Sequence, residues 1–302
     1  MCLAKSLNNA RKPTAIALGN FDGVHRGHRQ VINPIFQVAD SVWATVVTFN
    51  PHPQEFFTGQ PRLLLTPTPE KVQQLEALGV AQVVLLPFDR DLAQLSASEF
   101  VAKILVQQLQ AKLVTVGADF RFGSQRGGTA GDLVSIASGF GVRVAIAPLQ
   151  TCVEGKIGSS LIRKALEDGE LSQANRLLGR PYSLVGVVRK GEQLGRTIGF
   201  PTANLQLPPE KFLPRQGVYG VRVSCEAIAS PVLGVMNLGK RPTVNGTRQT
   251  VEVHLLDWSG DLYGQTLTVS LEAYIRPEQK FASLDDLKTQ ILADCEAAIK
   301  YQ

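Results

Sequence analysis

The chain has 302 residues, 44% of them hydrophobic and 19% charged, with a net charge of +5. That balance describes a globular protein with a real core, and its apolar runs fall short of the ~20 residues needed to span a bilayer. The basic residues are dispersed, with no Lys/Arg-rich run, so the positive excess points to small anionic partners such as nucleotides rather than to a nucleic-acid stripe. The four cysteines (Cys2, Cys152, Cys225, Cys295) are far apart and form no CxxC. Neither a zinc site nor a disulfide framework is expected, and the pattern fits a reducing cytoplasm. The opening MCLAKSLNNARKP has no apolar signal-peptide core, so export is not expected.

Up to about residue 180, strands and helices alternate. TAIALGN (14–20) is predicted as a buried strand and GHRQVINPIFQVAD (27–40) as a helix. VWATVVTF (42–49) is a second β-branched run. TPEKVQQLEALG (68–79) reads as a helix with a Thr cap, Pro at its first position and a terminal Gly. AQVVLLPF is a strand, and SASEFVAKILVQQLQ a helix opened by a capping box from Ser96 to Glu99. KLVTVGA and VRVAIAPL are further strands, with GDLVSIASGFG a helix between them. Short apolar strands separated by helices imply a doubly wound, Rossmann-like α/β domain with a parallel sheet, whose ligands sit at the strands' carboxyl ends.

A helical segment, 159–179, ends at Gly179 before Pro181. From about residue 183 the pattern changes. SLVGVVRKG, GVYGVRVSC, PVLGVMNLG, QTVEVHLLDW and QTLTVSLEAYI are alternating strands joined by Gly- and Pro-rich turns. SLDDLKTQILADCEAAIKYQ closes the chain as a helix capped by Ser283 with Asp286. This half is expected to be an antiparallel β-barrel or sandwich with a terminal helix.

In the first half, GNFDGVHRGH (19–28) follows a strand and opens a helix. Metal binding, phosphate binding and a plain tight turn are all conceivable there. A metal site needs a third ligand, and none follows at a suitable spacing. Gly19, Gly23 and Gly27 let the backbone turn sharply and approach a ligand. His25 and His28 lie where free N–H groups and the helix dipole favour anions. The plain alternative is a glycine-rich turn with two surface histidines, but the whole chain holds only four. NPHP with Asn50 and His52, GADFRFGSQRGG with Asp119 and Arg121, and GKIGSSLIRKAL with Ser159, Ser160 and Arg163 each follow a strand. They therefore converge on the same mouth of the sheet. Taken singly, each has an ordinary explanation: a turn, a solvated charge, a helix cap.

In the second half, GRTIGFPTANLQLP (195–208) places Thr202 and Asn204 on one side of a strand. Their short oxygen-bearing side chains suit a hard cation and triphosphate oxygens; a Pro-Thr turn entering an ordinary strand is the alternative. In TVEVHLLDW, Val251, Val253 and Leu255 share one face, and Glu252 with His254 the other. Glu252 there either faces solvent or serves as a general base. No GxxxxGK[ST] loop is present, so any kinase chemistry is not of the Walker type.

The set GNFDGVHRGH, NPHP, GADFRFG and IGSSLIR resembles the adenylyltransferase half of bacterial bifunctional riboflavin kinase/FAD synthetases, within the nucleotidyltransferase superfamily. GRTIGFPTAN, GVYGV, GVMNLGKRPT, VEVHLLDW and YIRPEQKF, in that order, resemble the riboflavin kinase domain. The resemblance implies an FMN adenylyltransferase domain over 1–180 and a riboflavin kinase barrel over 181–302. It further implies that riboflavin is phosphorylated to FMN, and FMN adenylylated to FAD, at the expense of ATP.

Carried onto this chain, the resemblance makes His25, His28 and Arg163 catalytic in adenylyl transfer. Gly19, Asn20, Phe21, Asp22, Gly23, Gly27, Ser159 and Ser160 would contact ATP phosphates. In the kinase half, Glu252 would activate the ribityl 5′-hydroxyl, Gly195 would shape the ATP loop, and Thr202 and Asn204 would bind Mg²⁺ with the nucleotide. Asn50, His52, Asp119, Phe120, Arg121, Phe122, Arg276 and Glu278 are the implied flavin contacts. FMN and FAD are substrate and product here, not redox cofactors. Two positions depart from the family's I-S-S-T-x-x-R pattern: Gly158 follows Ile157, removing a hydroxyl, and Ser160 stands in place of Thr, keeping one. The rival expectation is therefore a kinase whose first domain only binds nucleotide. A non-catalytic flavin- or RNA-binding protein is a further alternative, disfavoured by Glu252 and the complete HxGH. The expected partners are ATP, riboflavin and FMN, without nucleic acid or membrane. Oligomeric state stays open between a monomer and a weak homo-oligomer.

Overall fold

The computed structural model describes every residue except 40, 154, 192–194, 196–197, 244–245 and 302, and no side chain within 241–248. Arg196 and Thr197 of the GRTIGFPTAN motif thus lie outside the described residues. The chain divides into two compact units, Met1–Ser159 and Ser160–Gln302.

The strands of the first unit are β1 (Cys2–Ala4), β2 (Thr14–Leu18), β3 (Trp43–Asn50), β4 (Gln82–Pro87), β5 (Ala111–Gly117) and β8 (Arg143–Ala147), with two small hairpins, β6 (Arg121–Phe122) with β7 (Gly128–Thr129) and β9 (Thr151–Cys152) with β10 (Gly155–Lys156). The six main strands run parallel in the order β1-β4-β3-β2-β5-β8. Helices α1 (Arg26–Ile32), α2 (Pro53–Thr58), α3 (Thr68–Ala77), α4 (Arg90–Gln94), α5 (Ala97–Glu99) and α6 (Ala130–Ser138) connect them. Both faces of the sheet are covered, which is why the strands read as continuous apolar runs. Ile16 and Leu18 pack with Leu105 and Leu133 on one face, and Ala15 and Ala17 with Ile32, Ile35 and Leu75 on the other.

Three helices depart from expectation. α1 stops at Ile32 instead of running to residue 40, and Asn33–Phe36 tighten into a 3₁₀ turn. Pro34 is the cause, because it lacks an N–H and its ring clashes with the preceding turn. In α3, Thr68 is already helical and Pro67 holds the capping position, with no side-chain cap. The Ser96–Glu99 capping box forms as expected, but beyond it Phe100–Gln108 winds as a π-helix, with the Leu109 N–H donating to the Ile104 carbonyl at 3.0 Å.

The segment 159–179, all but Ser159 in the second unit, is two helices, α7 (Ser159–Asp168) and α8 (Leu171–Leu178), parted at Gly169, whose φ of +83° no side chain adopts readily. Then follow β11 (Tyr182–Arg189), β12 (Ala203–Gln206), β13 (Gly217–Ser224), β14 (Val232–Thr243), β15 (Gly246–Leu255) and β16 (Thr266–Arg276). They close an antiparallel barrel in the order β11-β12-β15-β14-β13-β16. Helix α9 (Leu284–Lys300), capped by Ser283, lies on its outer face. Ala298 packs against Val218 and Val235, and an added Cβ on Gly220 would come within 3.4 Å of it.

Arg276 fastens α9 to the barrel. Its Nε and one terminal nitrogen donate to the two carboxylate oxygens of Asp294 at 2.8 and 2.7 Å, and Asp294 is only 2% exposed. Removing one member of a buried pair strands the other charge. Asp294→Ala is therefore expected to destabilise the barrel unit by about 3 kcal/mol, read as a lowered urea midpoint, with Arg276→Ala at Asp294→Ala adding little further loss.

Candidate active sites

Strand order reverses between β2 and β5, and a crevice opens at such a point beyond the carboxyl ends of the strands. A cavity of about 790 Å³ occupies it, lined by the residues that follow β2, β3, β5 and β8. The turn after β2 is tightly wound: Phe21, Gly23 and Val24 all have positive φ, at 49°, 93° and 43°. Phe21 is buried beneath it, and a side chain on Gly19 would press on its ring.

His25 caps α1. Its Nδ1 accepts the His28 N–H at 3.2 Å, which leaves the imidazole proton on Nε2. His25 is 4% exposed, and its ring stacks on that of His28 at 3.5 Å. Gly27 is required by this packing, since a Cβ there would meet the His25 ring at 3.2 Å. Both histidines line the cavity together with Gly19, Asn20, Phe21 and Gly27. Stacked imidazoles at the mouth of a sheet offer N–H donors to an anionic group, with the helix's own free amides beside them.

The remaining walls come from distant segments. Asp119, Phe120, Arg121 and Phe122 follow β5, and Asp119 is ion-paired with Lys156. The Phe120 and Phe122 rings are parallel at 5.7 Å. His52 caps α2 and lines the cavity. Beside it Phe49, Phe57 and Phe88 also line the cavity, and Phe88 meets each of the others edge-on at 5.6 and 5.7 Å. Gly158 and Ser159 complete the lining.

Asp22, Gly23 and Asn50 are not part of it. Asp22 turns inward, where its carboxylate accepts the Thr66 N–H at 3.1 Å and its carbonyl accepts the Ser159 hydroxyl at 2.8 Å. Asn50 ends β3, its carbonyl taken by the Phe88 N–H. Ser160 and Arg163 belong to the second unit, where the Arg163 guanidinium lies over the Phe212 ring at 4.8 Å.

In the barrel, register places Asn204 directly opposite Glu252 and Glu252 directly opposite Asn237, making a polar row across β12, β15 and β14. All three are half-buried. Gly191 and Gly195, in the loop before β12, lie beside Asn204 and Thr202. The Ile198 and Phe200 N–H groups donate to the Gly195 carbonyl, and a Cβ on Gly191 would strike the Asn204 amide at 2.3 Å. Thr202 is half-buried against the same loop. Glu278 reaches over β14, accepting from the Asn237 amide at 3.3 Å and covering Gly239. Arg276, expected beside the flavin, spends its guanidinium on Asp294. His254 meets the Pro201 carbonyl at 2.8 Å, beside a second cavity of about 500 Å³ formed with Trp258 and the α9 residues Leu292, Cys295 and Ile299.

Sequence patterns alone did not reveal Phe49, Phe57, Phe88, Lys156 or Asn237. The run of aromatics just after NPHP was a visible signal for Phe57; the others join their sites only through tertiary packing or strand register.

Each half matches a family model: FAD synthetase over residues 7–161 and riboflavin kinase over residues 178–302. A FAD synthetase domain and a riboflavin kinase domain thus stand in series on one chain. The bifunctional riboflavin kinase/FMN adenylyltransferase of Escherichia coli (strain K12) is 44% identical over 285 residues, covering 92% of this chain and 90% of that protein. That of Bacillus subtilis (strain 168) is 36% identical over 295 residues, covering 95% and 92%. The chain belongs to the family of bifunctional riboflavin kinase/FMN adenylyltransferases. A crystal structure from Streptococcus pneumoniae, named a macrolide-efflux protein, superposes with a TM-score of 0.87 at 33% identity over 99% of both chains. Among the described residues of the present chain, no helix is long and apolar enough to cross a membrane.

Gly158, where the family pattern has a hydroxyl, tolerates a side chain. A Cβ on Gly158 would find nothing within 4 Å. Gly158→Ser is expected to change unfolding free energy by no more than about 0.5 kcal/mol, measured by thermal or urea denaturation.

Proposed function

We propose that the chain converts riboflavin to FMN in the barrel unit and FMN to FAD in the α/β unit, using ATP at both steps, with function divided along 1–180 and 181–302. The observation that carries the two-site assignment is that the histidine pair and the Glu252 row lie in separate compact units. Both family matches are present, which favours two activities over a kinase with an idle first domain.

The two transfers ask for different chemistry. In the first unit an FMN phosphate oxygen attacks the α-phosphorus of ATP, the bond to the β-phosphate oxygen breaks, and pyrophosphate leaves. A phosphate is already anionic at neutral pH, so no base is needed. The site has to position the reactants and stabilise charge on the phosphoryl oxygens. His25, His28, Ser159 and the turn amides supply donors, and the Phe49–Phe57–Phe88 group offers an aromatic surface for a flavin ring alongside His52, Phe120 and Phe122.

In the barrel the nucleophile is an alcohol. The ribityl 5′-hydroxyl attacks the γ-phosphorus, ADP leaves, and the hydroxyl proton passes to Glu252. Thr202 and Asn204 present only neutral oxygen donors, which fits Mg²⁺ held largely by water and triphosphate. When bound, the ion offsets charge on the phosphates. Glu278, next to Asn237, borders the flavin side of the row. Four cysteines far apart in sequence, with no CxxC, support a reducing, cytoplasmic setting.

Two variants test the division, with products separated by chromatography after incubation with ATP, Mg²⁺ and either riboflavin or FMN. Glu252→Ala is expected to lower FMN formation about 10²–10⁴-fold while still converting supplied FMN to FAD. His28→Ala is expected to lower FAD formation about 10²–10³-fold while still accumulating FMN. Loss of both activities in both folded variants would overturn the two-site assignment.

A further inference from the structure

We propose that Lys71, which lines neither cavity, is a positioning residue for adenylyl transfer: it holds the carbonyl of Asn20 inward so that the turn after β2 keeps its amides available to the phosphates of ATP. This rests on the assignment of adenylyl transfer to the first unit.

A lysine ammonium is seldom buried unless something requires it. Lys71, on α3, is only 7% exposed. Its Nζ donates to the Asn20 carbonyl at 2.8 Å, and Thr48 Oγ1, 3.5 Å from Nζ, donates to that same carbonyl at 3.0 Å. Burial pushes the lysine pKa down, and the negative charge of Asp22 offsets part of that effect. The desolvation penalty is thus borne where a single backbone oxygen is gripped by two side chains from two different elements.

The turn explains the need. Phe21 and Val24 both sit in the left-handed region, and for a β-branched residue such as Val24 that conformation is a genuine outlier. Residues held there are strained and persist only when their surroundings over-determine them. The surroundings here are specific. Besides the grip on Asn20, the Gly23 N–H donates to Thr66 Oγ1 at 2.8 Å, the Thr66 N–H donates to the Asp22 carboxylate, and the Ser159 hydroxyl donates to the Asp22 carbonyl.

Peptide geometry links Lys71 to the ligand. In a trans peptide the C=O and the following N–H point in opposite directions. Drawing the Asn20 carbonyl toward Lys71 and Thr48 therefore turns the Phe21 N–H away from them, and Asn20 and Phe21 both line the cavity. Without the ammonium only Thr48 holds the carbonyl, and the peptide can more readily rotate and present an oxygen to an incoming triphosphate, replacing a donor with a repulsive acceptor.

The test uses the full chain with Lys71→Met, which keeps the length of the side chain and removes its donor. Steady-state FAD formation from FMN and ATP is measured as a function of ATP, with riboflavin kinase activity on the same molecule as the internal control. The expected result is a KM for ATP in adenylyl transfer raised about tenfold, with a smaller change in kcat and kinase kinetics unchanged. A lysine that only stabilises the unit would instead lower kcat through loss of active molecules and leave KM where it was; that outcome overturns the proposal. Should Lys71→Met fail to fold, Thr48→Val removes the second donor with little change in volume, and a two- to fivefold rise in the same KM is expected. An ATP KM within twofold of the unaltered protein in whichever variant folds overturns the proposal as well. Unaltered protein that makes no FAD from FMN would sink the assignment of the site itself, and the role of Lys71 with it.

Discussion

A backbone loop that binds phosphate must turn its N–H groups toward the ligand and keep its carbonyl oxygens out of the way. On the proposed assignment that constraint falls on residues 19–25, where Phe21, Gly23 and Val24 have left-handed backbone conformations. Much of the first unit serves to keep them there. β2 delivers the turn to the reversal point of the sheet, and Thr48 on β3, Lys71 on α3 and Thr66 hold it. Ser159, far along the chain, ties down its last inward carbonyl. The histidine pair depends on the same arrangement: His25 can cap α1 and stack on His28 only because the turn ends where it does.

The barrel solves a different problem. An alcohol brings a proton that has to go somewhere, and a carboxylate is the simplest acceptor at neutral pH. A carboxylate on a strand is useful only if its neighbours hold it, and in a sheet those neighbours are set by register. A slip of one residue would send Glu252 to the opposite face and replace it with an apolar side chain. With the observed register, Asn204 and Asn237 flank it directly. The β12 strand that carries Asn204 is short, so its placement leans on the loop before it, where the Gly195 carbonyl gathers two N–H groups and Gly191 leaves room for the Asn204 amide.

What was legible in the sequence follows from the range of each interaction. Strand and helix types came through because alternation and apolar runs are local, as did the Ser96 and Ser283 caps. Helix lengths were less legible. The pattern over 27–40 stayed amphipathic past Pro34, and the segment 159–179 concealed a break at Gly169 that only φ reveals. The π-helical winding of Phe100–Gln108 has no local signature in the sequence. The candidate residues His25, His28, Thr202, Asn204 and Glu252 stood out through type and spacing. Lys71 and Asn237 were not, because nothing adjacent in sequence distinguishes them; each acquires its place from a partner on another element. Arg276 illustrates the converse. Its motif context suggested a ligand contact, whereas its guanidinium is committed to an aspartate on the terminal helix.

Gly158 separates shape from chemistry at the first site. The family pattern places a hydroxyl there, and its absence first suggests a decayed site. The elements that hold the form of the site are, however, intact around this position. Ile157 is buried, Ser159 still bonds to the turn, and Gly27 still makes room for the His25 ring. The space beyond Gly158 is open, so nothing has filled the position that a hydroxyl would have occupied. The chain therefore lacks one hydrogen-bonding group, worth about 0.5–1.5 kcal/mol when paired, while retaining the strained turn and the stacked histidines. A strained turn brings no stability in return for its cost. Its persistence argues that the site is kept for work on a ligand.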